Sequence, residues 1–323
     1  MARAHISVVI PTLNGGALFA RALDQILAQS TSFRFDVTVI DSGSTDGTVA
    51  MAQARGVRLL TTTRREFNHG ATRDAAIAST EGELIALTVQ DAEPSDQHWL
   101  AAFARAFAEV PDAAGVYSRQ IPRPGLNPIL RERLLAWSAT RTVRGVQRLP
   151  PGQALSDLAP LDRLKLVAFD NVSSCIRRRC WQERPFGRRA FGEDLRWATH
   201  WIERGQAIVF EPTSAVIHSH DSSVGYEFRR IYADHQNLSE LLGLVTVPDL
   251  RALFRNAAAA HAHYKEVLMK EPLAGPEFAR LLDWSRRYAF AENLAQYLGA
   301  KSSLVDRSRA PWRIIDRWLR RGV

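Results

Sequence analysis

The chain has 323 residues, 46% hydrophobic and 24% charged, a balance that excludes wholesale disorder, collagen-like repeats and a disulfide-stapled miniprotein. At roughly 100 to 200 residues per domain, that length makes one large domain or a domain with a substantial extension. Lys and Arg total 42 against 34 Asp and Glu, a net charge of +8 that suits phosphate-bearing ligands, anionic lipid or nucleic acid without choosing among them.

Residues 5–10 (HISVVI) form a compact β-branched run stopped by Pro11. Residues 16–28 then place Leu18, Ala22, Leu23, Ile26 and Leu27 at helical spacing. The strand pattern returns at 35–40 (FDVTVI) and runs into the polar loop 41–47 (DSGSTDG), ahead of a helix-compatible stretch at 48–54. Strand-like 57–60, helical 71–79 and strand-like 84–88 continue the alternation. Short apolar strands separated by amphipathic helices imply a parallel sheet covered on both faces, with a ligand crevice beyond the carboxyl ends of the strands. The N-terminus carries no signal-peptide pattern, and nowhere do about 18 uncharged apolar residues follow one another, so no transmembrane helix is expected.

Residues 120–166 hold many prolines and arginines without a steady period and read as an irregular, substrate-facing insertion. Order returns at 171–176, in a helix at 193–204 and in a strand at 207–210. The only cysteines, Cys175 and Cys180, lack the partners of a zinc site or disulfide framework and favour a reducing cytoplasm. From about residue 226 the pattern is helical, with Leu238, Leu241, Leu242 and Val245 on one stripe and Leu250, Leu253, Phe254 and Ala257 on the next. Tyr264, Trp284, Tyr288 and Phe290 read as core rather than as sugar-stacking platforms. The tail 310–323 sets Trp312, Ile315, Trp318 and Leu319 among arginines. Such a helix either lies in a membrane interface or packs on the preceding helices or a second subunit.

Several residues can carry chemistry. Asp41, at the end of a buried strand, can bind the donor edge of a base or a ribose hydroxyl, whereas 44–47 serve equally as a helix cap and turn. Arg73, in the first turn of a helix, opposes the macrodipole and favours a nearby anion, against a plain solvated arginine. Asp91 directly follows an apolar strand and can hold a divalent cation whose other ligands are phosphate oxygens and water, or cap a helix near Ser95. Glu193 and Asp194 open a helix; one of them can take a proton from an attacking hydroxyl, although acidic first turns are also ordinary dipole compensation. His218 and His220, two apart on an extended segment, point the same way and can serve one metal. Arg229 and Arg230 suit a diphosphate.

In order, residues 9–14 (VIPTLN), 40–47 (IDSGSTDG), 67–70 (FNHG) with Thr72 and Arg73, 90–92 (QDA), 119–122 (RQIP), 171–178, 192–194 (GED) and 218–220 (HSH) resemble the inverting family-2 glycosyltransferases of the GT-A fold, in their bacterial rhamnosyltransferase branch. The resemblance spans roughly residues 6–234, and FNHG is its most specific piece. It implies an α/β catalytic domain over residues 1–230, a mostly parallel sheet flanked by helices, with a helical extension over 231–323. It further implies that Pro11, Thr12, Asn14 and Asp41 hold the nucleoside and that Arg73 lies near the base or phosphate. Gln90 and Asp91 stand in the branch's form of the family's Asp-x-Asp, with Val89 in place of its first aspartate. Asp91 then binds Mg2+ or Mn2+, His218 or His220 completes the metal shell, Asp194 is the catalytic base, and Arg229 and Arg230 clamp the diphosphate.

The implied reaction moves L-rhamnose from dTDP-β-L-rhamnose to a hydroxyl of a saccharide or lipid-linked acceptor in cell-surface polysaccharide assembly. No nucleic acid is involved. The setting is cytoplasmic, peripheral at the inner face of the plasma membrane if the tail binds lipid, and a homodimer is compatible with the sequence. The alternatives are a UDP- or GDP-sugar donor, a metal-dependent nucleotide-sugar phosphohydrolase, and a non-catalytic nucleotide-sugar-binding protein.

Overall fold

A computed structural model describes residues 5–189, 191–306 and 310–320. The last three residues of the expected tail, 321–323, and the first four of the expected catalytic domain lie outside the described residues. The chain begins β1 (His5–Thr12), α1 (Gly16–Leu27), β2 (Arg34–Asp41), α2 (Thr48–Ala54), β3 (Arg58–Thr61), α3 (His69–Ala78) and β4 (Leu84–Thr88). It continues through β5 (Glu93–Pro94), α4 (Trp99–Glu109), β6 (Ala113–Ile121), α5 (Pro128–Leu135), β7 (Gly145–Gln147), α6 (Pro160–Val167), β8 (Ser173–Arg177) and α7 (Arg178–Glu183). It closes with α8 (Glu193–Glu203), β9 (Ala207–Ile217), α9 (Val224–Leu242), α10 (Leu250–Met269), α11 (Gly275–Ser302) and α12 (Trp312–Leu319).

Two compact units result, the first made of residues 1–123, 137–158 and 165–219, the second of 124–136, 159–164 and 220–323. The helical part thus begins at 220 rather than 231 and recruits two earlier segments. The stretch 120–166, expected to be irregular, holds α5, β7 and α6. These elements of at most eight residues are too short to show a period in sequence.

In the first unit the sheet runs β3-β2-β1-β4-β8-β6-β9-β5, with β7 on β9. Its β3-β2-β1-β4 half is parallel, as the alternation implied. Beyond β4 it is mixed: β8 lies antiparallel between β4 and β6, and β6 pairs parallel with β9. β4, β6 and β9 therefore share the direction of β1, and only β8 of this central set runs against them. One end of the sheet gathers the loops after β1, β2 and β4, the end of β6, the exit of β9 and the entry to β8.

β1 and β4 are buried along nearly their whole length, with Ile6, Val8, Val9 and Ile10 of β1 in the core, as in strands covered on both faces. α1 contributes Phe19, Leu23 and Ile26 to the core, and α4 contributes Trp99, Leu100, Phe103 and Phe107, at spacings that keep one helix stripe inward. The Trp99 indole N–H, fully buried, donates to Ser173 Oγ at 2.8 Å, which satisfies it.

The second unit has its own core, including Leu126, Ile129 and Leu130 beside Ile231, Tyr232, Tyr264, Leu268, Leu281 and Tyr288. Tyr264 and Tyr288 are core, as expected, and Trp284 stacks on Tyr288 at 4.7 Å. Phe290 is exposed, as are Val245, Leu250 and Phe254 from the expected apolar stripes. Among the described residues no helix is long and apolar enough to cross a membrane.

Candidate active site

The register of β1 on β2 sets Thr12 beside Asp41 at the carboxyl end of the sheet. Thr12 Oγ1 donates to Asp41 Oδ1 at 3.1 Å, and the amides of Gly43 and Ser44 each donate to Oδ2 at 2.9 Å. Gly43 has φ +93°, a left-handed conformation that glycine adopts without strain. Burial raises the Asp41 pKa, but the hydroxyl and amide of Ser44, the amide of Gly43 and Thr12 together hold it below the usual range. Asp41 is thus a buried carboxylate that folds its own loop.

Asn14, at φ +50°, donates its amide to Ser44 Oγ at 2.8 Å, and its Oδ1 accepts from Thr45 N–H at 2.8 Å. Pro11 lies opposite Ile40 in the same register. Gln90 reaches this loop too: Leu13 N–H donates to its Oε1 at 2.8 Å, and its Nε2 donates to the Leu13 carbonyl at 3.3 Å. Pro11, Thr12, Asn14, Asp41 and Gln90 therefore belong to three cross-braced connections, those after β1, β2 and β4.

Asp91 sits nearly buried in the turn after β4. The Arg123 guanidinium donates to the Asp91 carbonyl and pairs with Glu93, fixing that turn. At the exit of β9, His218 Nε2 lies 3.8 Å from Asp91 Oδ1, and His218 Nδ1 lies 3.1 Å from Gln120 Oε1. Gln120 Nε2 in turn donates to Asp170 Oδ2 at 2.6 Å. That assignment leaves Gln120 Oε1 an acceptor, puts the imidazole proton on Nδ1 and leaves the Nε2 lone pair toward Asp91. Asp91, His218 and His220, two residues further along, each offer one ligand atom, all within 4.8 Å of one another.

Asp194 stands in the first turn of α8, after Gly192 at φ +70°. Its Oδ2 accepts from Asn171 N–H at 3.2 Å and its Oδ1 from Leu195 N–H at 2.7 Å. Burial, followed by the charges of Glu193 and Asp170, pushes the Asp194 pKa up to about 8. Asp170 is likewise raised by burial, although it accepts from Val172 N–H at 2.9 Å and Trp137 Nε1 at 3.3 Å. Hydrogen bonds thus run from His218 through Gln120 to Asp170, and the next residue's amide reaches Asp194. The four side chains meet although their sequence positions spread from 120 to 218.

Arg73 is buried and donates to Glu193 Oε1 at 2.9 Å, beside Asn171 Nδ2 at 3.3 Å from the same oxygen. The FNHG element braces the approach to Asp194. Asn68 caps α3 by accepting from Ala71 N–H at 3.2 Å, and its Oδ1 also accepts from Arg189 N–H at 2.7 Å. A Cβ at Gly70 would lie 2.0 Å from the Gly187 carbonyl oxygen, so only glycine fits.

Arg229 and Arg230 lie on α9 in the second unit, where Arg230 pairs with Glu227 at 2.9 Å. Sequence reasoning gave no role to Gln120, Asp170 or Arg123. Gln120 was visible only as part of the RQIP match.

A family-wide sequence profile, Glycosyl transferase family 2, matches residues 7–154. The O-antigen chain rhamnosyltransferase RfbN of Salmonella typhimurium is 30% identical over 232 residues, 70% of each chain. WbaN of Salmonella anatum, described in the same words, is 27% identical over 231 residues, again 70% of each. Among solved structures, glucosyl-3-phosphoglycerate synthase from Mycobacterium tuberculosis, in complex with Mn2+, UDP-glucose and phosphoglyceric acid, aligns with a TM-score of 0.53 at 19% identity, over 76% of this chain and 81% of that one. That likeness extends the agreement to the α/β fold. With matching motifs, a shared sheet and relatives covering most of its length, this chain belongs to glycosyl transferase family 2 and carries its GT-A architecture.

Proposed function

We propose that the protein transfers L-rhamnose from dTDP-β-L-rhamnose to a hydroxyl of a saccharide or lipid-linked acceptor during O-antigen assembly, with inversion at the anomeric carbon. The two rhamnosyltransferase relatives support the sugar and the pathway. The observation that supports the chemistry is the chain of contacts from the Asp91–His218 pair through Gln120 and Asp170 to the Asn171 amide that holds Asp194.

A carboxylate oxygen and an imidazole nitrogen whose other ring nitrogen is already occupied make a donor set suited to Mg2+ or Mn2+. Asp91 with His218, and His220 beside it, would hold the ion. Bound there, the cation supplies neutralisation of the charge that develops on the departing dTDP. The cross-braced loops carrying Thr12, Asn14, Asp41 and Gln90 shape the nucleoside end of the donor site. Arg73 acts from beneath, holding Glu193 so that the first turn of α8 presents Asp194. Asp194 accepts the proton of the acceptor hydroxyl as that oxygen attacks from the face opposite the leaving group. One displacement needs no covalent enzyme intermediate.

The test is Asp194→Asn with dTDP-β-L-rhamnose and Mn2+. Donor affinity by calorimetry should persist while turnover falls about 10²- to 10⁴-fold. Tightest binding of a UDP- or GDP-sugar overturns the rhamnosyl assignment. Release of dTMP and rhamnose 1-phosphate with no glycoside formed marks the phosphohydrolase, and a variant that changes nothing marks a non-catalytic binder.

A further inference from the structure

α12 divides cleanly at 100° per residue: Trp312, Ile314, Ile315, Trp318 and Leu319 share one side, and Arg313, Asp316, Arg317 and Arg320 the other. Its seat on α9 uses only the edge between them. Leu319 is buried, and the Asp316 carboxylate accepts from the Tyr232 hydroxyl at 2.9 Å and from Gln236 Nε2 at 3.0 Å. Asp316 also pairs with Arg320 Nε at 3.3 Å. The rest of the apolar side faces outward, with Trp318 67%, Ile314 64%, Trp312 45% and Ile315 39% exposed.

Among the described residues, packing gives no reason for two tryptophans and two isoleucines on an outer face. Their chemistry fits a bilayer interface: indole rings favour the headgroup level, and branched alkyl groups reach the acyl boundary. The charge fits an anionic surface. Arg313 and Arg317 stand on the polar side, from which long side chains reach back to headgroups, the helix's one carboxylate is already engaged, and the adjoining sequence adds Arg307, Arg309 and Arg321 against Asp306. An eight-residue helix is about 12 Å long, far short of the roughly 30 Å hydrocarbon core, so it lies in the interface and does not span it.

We propose that the exposed Trp312–Ile314–Ile315–Trp318 face of α12 docks the protein onto an anionic lipid surface. This surface goes beyond the transferase reading and does not depend on it. Its readout uses no sugar donor, so a mistaken donor assignment leaves the result unchanged.

The test is flotation of the full chain with phosphatidylglycerol-containing vesicles and with vesicles of phosphatidylcholine alone. Binding should favour the anionic vesicles, weaken as salt is raised, and shift tryptophan emission to the blue. Ile314→Ser with Trp318→Ser should reduce the vesicle partition constant about tenfold or more, while circular dichroism and activity on a soluble acceptor stay unchanged. Equal binding by wild type and the double variant overturns the proposal, as does absence from both vesicle types. A concentration-dependent dimer that the same substitutions abolish overturns it in favour of a second copy.

Discussion

Asp194 shows how environment sets a side chain's task. Burial and the neighbouring Glu193 and Asp170 charges favour its protonated form, so the base form grows as pH rises through about 8. kcat/KM should therefore climb with pH and level off above a limb near 8. Asp170→Asn removes one of the like charges and should move that limb to lower pH, measurable from initial rates across the range. Gln120 acts by position: its amide fixes the His218 tautomer from one end and satisfies Asp170 from the other. Gln120→Leu leaves both without that partner and should weaken Mn2+ binding about 10- to 100-fold by calorimetry, with a smaller change in the Asp194 limb. The places of Asp41, which ends a buried strand, and of Asp91, in the turn after one, were legible in sequence. Asp170 and Gln120 were not, since their partners lie 50 and 98 residues away and meet only through the sheet.

At the scale of elements, the start of α3 is the brace for the segment leading to Asp194. Asn68 caps the helix and takes the Arg189 amide. Asp74 accepts from Trp181 Nε1 at 2.7 Å and from the amides of Phe186 at 3.1 Å and Gly187 at 2.7 Å. Gly70→Ala drives a methyl into the Gly187 carbonyl and should cost about 1–3 kcal/mol in urea unfolding, as an overpacked contact does. Turnover should fall with donor affinity kept, because the segment displaced is the one before α8. The parallel β3-β2-β1-β4 half was readable from the alternation of short apolar strands and helices. β8 was not readable as antiparallel: a five-residue buried strand carries no mark of direction, and its place between β4 and β6 is decided by partners elsewhere.

For the whole molecule, the order of the chain and the order of packing disagree. Residues 124–136 follow β6 directly, yet Leu126, Ile129 and Leu130 are buried with α9, α10 and α11. A chain truncated after residue 219 keeps every strand of the sheet but exposes these three side chains. Gel filtration and light scattering should find it aggregated, whereas the same truncation with Leu126, Ile129 and Leu130 changed to Ser should elute as a smaller, discrete species. The sequence showed a helical C-terminal part but not this recruitment, because eight-residue α5 has little amphipathic pattern of its own.

The same threading bears on how such proteins can diversify. The helical unit is assembled from three separate stretches of chain, so recombination at a single point near residue 220 would import new helices while leaving α5 and the start of α6 matched to the old ones. A working hybrid must exchange all three stretches together, which makes gradual substitution within the helices an easier evolutionary route than shuffling them as a block.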